Sequence, residues 1–131
     1  HIVNRLTEII NKKPKIAEVK IDQEAAYALC ERLKRGEKLT YRDVINNVDG
    51  EGRNLELVTL GVMHTTGEFI MGPSFDSLFV GGETLLIAGT HDAIDEFEMI
   101  LNHERKLYFV VNKEEKRRWI FEKLFPKREE G

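Results

Sequence analysis

Glycine and proline divide the stretch from Leu57 to Gly89 so closely that it can form only short strands. Leu57 to Met63 reads as one strand, Thr65-Thr66-Gly67 as a turn, and Glu68 to Met71 as a second strand. Gly72-Pro73 breaks that strand, and Ser74 to Val80 runs to a further turn at Gly81-Gly82. Thr84 to Ala88 is a near-continuous apolar run, suited to the centre of a sheet. Upstream, Ile16 to Ile21 alternates apolar and charged residues, the pattern of a strand with one wet face.

The helices carry their own signals. Asp22 can cap a helix from Gln23 to Arg35 with Ala25, Ala26, Leu29 and Leu33 inward, and Gly36 suits its C-terminal end. Thr40 and Asp43 have capping-box spacing, which predicts a short helix through about Asn47. Thr90 caps a helix over Asp92 to Asn102 with Ile94, Phe97, Ile100 and Leu101 inward. Leu107 to Val111 reads as a strand, and Asn112 as the cap of a final helix whose apolar side is Trp119, Ile120, Phe121, Leu124 and Phe125. The expected division is a lead-in helix over 1–14, a domain over 15–104 and a strand-helix extension over 105–131. The chain starts at His1, which suggests a piece of a longer protein.

Composition narrows the function classes. A net charge of −3, with basic residues interleaved among acidic ones, gives no basic face for nucleic acid. One cysteine excludes an intramolecular disulfide and a cysteine-based zinc site. No run approaches the eighteen apolar residues of a membrane span.

Few residues suit catalysis. The two serines, Ser74 and Ser77, lie outside any nucleophile-elbow sequence. His91 and Asp95 stand one helical turn apart, a spacing that a surface pair explains better than a metal. Cys30 reads as a small core filler, and His64 as an exposed turn residue or a ligand contact. Counting from Asn47 as the first ligand of a calcium loop puts Val58 where the bidentate Glu belongs, which excludes an EF-hand. Gly81-Gly82 precedes a strand rather than a helix and so is no phosphate loop. Lys116-Arg117-Arg118 shares its segment with Glu114, Glu115 and Glu122 and reads as a solvated face. The chain is expected to be no enzyme and to hold neither cofactor nor metal.

The order of motifs from Leu57 to Gly89 resembles the TrkA-C domain, the C-terminal half of the regulator-of-potassium-conductance (RCK) module. The motifs are Leu57-Val-Thr-Leu-Gly-Val-Met-His, Thr65-Thr-Gly-Glu-Phe-Ile, Gly72-Pro-Ser-x-Asp-Ser77 and Gly82-Glu-x-Leu-Leu-Ile-Ala-Gly89. Ser77 stands for the family's usual Thr and Glu83 for its usual Asp, and the likeness covers roughly residues 16 to 101. The resemblance implies an α+β fold, a small mixed or antiparallel sheet with flanking helices, in a cytoplasmic regulatory domain at the inner face of the cell membrane. Such a domain pairs with a copy of itself and serves the channel or transporter part of a potassium system. A purely structural oligomerisation module is the alternative. Phe69, Phe75 and Phe79, clustered around two turns, fit a homodimer or higher homo-oligomer.

The resemblance also locates a ligand site. Family members that bind cyclic di-AMP hold it at the dimer interface, against a strand-end Arg and an Asn-Pro pair. Here Pro73 keeps the proline, Gly72 replaces the Asn, and His64 or Met63 stands near the Arg. The expected lining is therefore His64, Gly72 and Pro73, with a different small nucleotide or an ion as ligand.

Overall fold

A computed structural model describes residues 13–45 and 55–112. Of the expected lead-in helix over 1–14 only Lys13 and Pro14 are described, and they are not helical; the loop after Ile45 and the helix bearing Trp119 lie outside the described residues. In chain order the elements are β1 (Lys15–Lys20), α1 (Tyr27–Lys34), α2 (Tyr41–Ile45), β2 (Leu57–Met63), β3 (Phe69–Met71), β4 (Thr84–Gly89) and α3 (His91–Asn102). A further helix, α4, covers residues 104–112.

The four strands form one antiparallel sheet in the order β1-β4-β2-β3, so the apolar β4 is internal as its sequence requires. Val19, Leu85 and Val62 sit side by side across three strands, as do Ala17, Ile87 and Thr59. These rows face the core, where Leu29, Phe97, Ile100 and Leu101 from the helices are fully covered. Ile16, Ala88 and Val58 form a row on the opposite face, where Val58, Ala88 and Leu60 make a small cluster of their own. Between Thr59 and Gly61 the register slips by one residue, leaving Leu60 as a bulge in β2.

The caps differ in how closely they follow the sequence. Thr40 and Asp43 make the expected reciprocal box, with Thr40 N–H donating to Asp43 Oδ2 at 2.9 Å and Asp43 N–H to Thr40 Oγ1 at 3.2 Å. Thr90 Oγ1 accepts from Ala93 N–H at the start of α3. Asp22 accepts from Glu24 and Ala25 N–H, but this closes only one turn. Ala26 then leaves helical geometry (φ −146°), and α1 begins at Tyr27. The late start shifts the buried face to Ala28, Leu29, Cys30 and Arg32, leaving Ala25 and Leu33 half-buried.

The expected strand at Leu107 to Val111 is instead helical, and Asn112 lies within α4 rather than capping a later helix. The reason is spacing. Leu107 and Val110, three apart, are buried in the main core, whereas Tyr108 and Phe109 between them are exposed. Adjacent aromatic and β-branched residues imitate a strand, but the core takes only every third or fourth of them.

Phe79 and Phe75 also differ from the interface reading. Phe79 is buried edge-on against Tyr41, with ring centroids 4.8 Å apart, and Phe75 packs against the same core. Phe69 alone of the three is exposed.

Candidate functional site

β3 ends at Met71, so no strand of the described residues runs beside Val58 and Thr59 on the outer edge of β2. Gly72 marks the departure. Its φ of +59° suits glycine, and its N–H donates to Leu60 O at 2.8 Å, tying the chain to the bulge before Pro73 turns it away. The segment that follows pairs with the start of α2, where Phe75 O accepts from Arg42 N–H and Ser77 O from Tyr41 N–H. Strand edge and departing segment part to leave a cleft of about 440 Å³, lined by Tyr41, Val58, Thr59, Gly72, Pro73, Ser74 and Phe75.

Its chemistry is that of a small neutral site. Thr59 is buried, and its Oγ1 has no hydrogen-bond partner among the described residues. A covered hydroxyl without a partner costs free energy, and a ligand group bonding to it would recover that loss. The Tyr41 phenol is pushed up to about 12, by burial first and by the Glu83 carboxylate second, so it is a neutral hydroxyl at physiological pH. Arg42 stacks 5.9 Å over the Phe75 ring and pairs with Asp76 at 3.0 Å, so this cation at the cleft's flank is already neutralised.

Of the three residues expected to line a site, Gly72 and Pro73 meet in this cleft and His64 does not. His64 follows the far end of β2, about 13 Å along the strand from Leu60. There its Nδ1 meets the Glu83 carboxylate. Glu83 is 4% exposed. Its own backbone is fixed by Ile21 N–H donating to Glu83 O at 2.8 Å. His64 thus serves as the partner of a buried carboxylate at the junction of the β2–β3 hairpin with the turn before β4.

Two residues of the site were missed from sequence. The sequence marks Thr59 only as part of the strand Leu57 to Met63, and Tyr41 only as part of the short helix after Thr40. Only the early end of β3 distinguishes them. His91 keeps its surface role, with Nε2 3.2 Å from Asp95 Oδ2 and Lys15 Nζ 3.1 Å from Nδ1. Cys30 is buried, and burial pushes its thiol up, as a core filler requires. Among the described residues no helix is long and apolar enough to cross a membrane.

No family model, curated protein or solved structure matches this chain.

Proposed function

We propose that the chain is a regulatory, ligand-sensing and dimerising domain of the TrkA-C type, acting on the cytoplasmic side of a potassium channel or uptake system. The cleft beside Gly72-Pro73 carries this reading, because it combines a buried hydroxyl without a partner, a neutral phenol and an apolar wall in one small-molecule-sized space. The antiparallel sheet with flanking helices is compatible with this reading, and the Gly72-Pro73 and Gly82-Glu83 turns are the motifs that carry the resemblance. In this role a ligand in the cleft favours one arrangement of a dimer over another. The gate then moves by no more than the ligand's difference in affinity for the two. Calorimetric titration with a panel of nucleotides, on the wild type and on Thr59→Val, is the test. Binding that weakens in the variant supports the reading, and heat-silent titrations throughout reject it.

The alternative, a purely structural oligomerisation module, is favoured by β3. All three of its residues, Phe69, Ile70 and Met71, are exposed on an edge strand, beside the exposed Met63. Both readings share a homodimer. Light scattering should give about twice 15.2 kDa at roughly micromolar concentration, and Ile70→Lys should return the chain to a monomer. A wild-type monomer at that concentration overturns both.

A further inference from the structure

The C-terminal end of α1 and the first two turns of α4 enclose a second groove, of about 640 Å³, lined by Arg32, Arg35, Glu37, Glu104, Arg105 and Tyr108 among others. Its unusual member is Arg32. The side chain is 8% exposed, yet its Nε has no hydrogen-bond partner among the described residues. Among the described residues its ion pair is with Glu37, long at 3.4 Å, and the Tyr108 ring covers the guanidinium at 5.9 Å. A guanidinium keeps its charge and offers five donors, so burying it this poorly paired is costly.

The surroundings favour an anion. Arg35 and Arg105 stand exposed at the rim, and Arg35 already holds a carboxylate, Glu104, at 2.8 Å. Near the end of α1, Glu31 O and Arg32 O accept from Arg35 N–H, and Leu33 O from Gly36 N–H, so these three carbonyls are turned to backbone donors. Residues 104 and 105 open α4, the positive end of that helix.

We infer that this groove binds the phosphoryl group of a small molecule, with Arg32 as its buried anchor and Arg35 and Arg105 closing on it from the rim. A phosphoryl group offers three oxygens to three guanidinium forks, where a carboxylate offers two. On binding, Glu104 gives up Arg35 and the exposed Tyr108 ring turns aside to uncover the Arg32 Nε–H.

The test is an NMR titration of the arginine Nε–H signals of the whole chain with inorganic phosphate, against acetate and chloride at matched ionic strength. A saturable shift of the Arg32 signal with phosphate is expected, at least about threefold tighter than with acetate. No saturable shift, or an equal response to chloride, overturns the inference, and acetate binding as tightly as phosphate overturns the choice of phosphoryl group. Because Arg32 variants can lose the fold, the second arm is Arg105→Gln, an exposed change. An unaltered melting temperature with weakened phosphate binding supports the site, and unaltered binding removes Arg105 from it.

Discussion

Replacing His64 by alanine should destabilise the protein through Glu83 rather than through any loss at His64 itself. The Glu83 carboxylate is 4% exposed and has His64 Nδ1 as its partner, and the bond from Ile21 N–H to Glu83 O fixes the backbone from which it projects. Leaving a buried polar group without its hydrogen-bond partner costs about 1–3 kcal/mol, and more when that group is charged. Here the imidazole is 33% exposed, so water enters the space it vacates and rehydrates part of the carboxylate. The expected loss is then about 1–3 kcal/mol. In a domain of this size that lowers Tm by roughly 5–15 °C. Urea denaturation should show the midpoint falling with an unchanged slope. Glu83→Gln in the His64→Ala background should recover part of the loss, because an amide is less costly than a carboxylate to leave unpaired, and the two changes should not add. A loss below about 0.5 kcal/mol, or strict additivity in the double variant, would refute the reasoning.

Gly82 has φ +89°, and a Cβ there would lie 2.7 Å from Thr65 Cγ2, so Gly82→Ala should cost about 1–2 kcal/mol in chemical denaturation, whereas Gly81→Ala, with open space around it, should be nearly neutral. Tyr41 is held neutral by the fold, raised from 10.0 to about 12. Its contribution is therefore fully present below pH 10 and is lost as pH rises from there to about 12, at up to about 1.4 kcal/mol per pH unit. Tyr41→Phe should flatten that part of the stability profile, and an unchanged slope there would exclude the assignment. Cyclic di-AMP should not bind tightly, since Gly72 offers no side chain and His64 stands outside the cleft; a calorimetric dissociation constant at or below about 1 μM would contradict this.

Much of the fold was legible because its signals are local. Thr40 and Asp43 lie three residues apart, Gly67 completes its turn at φ +92°, and the α3 stripe repeats on one face. The losses arose where a tertiary partner decides. Tyr108 and Phe109 contribute β-propensity to a segment whose orientation is set by Leu107 and Val110 entering the core. Nothing local in the sequence marks Arg32, which is buried on α1 beneath the Tyr108 ring, a contact between residues far apart in the chain. The candidate site was half legible. Gly72-Pro73 declares a break, but the cleft exists because β3 is three residues long, and strand ends are set by pairing rather than composition. His64 and Glu83, nineteen positions apart, meet only through the register of β2 on β4.

The bulge at Leu60 separates two properties that usually fail together. Removing Leu60 would leave Leu57, Thr59 and Val62 inward and Val58, Gly61 and Met63 outward, with every pair to β4 preserved. A one-residue deletion inside a central strand ordinarily turns half of it inside out. Here it would discard chiefly the carbonyl that anchors Gly72, and with it the lip of the cleft. The shortened chain would keep its core in register while losing the tie that shapes the cleft. In this strand, length shapes the cleft, and alternation encodes the fold.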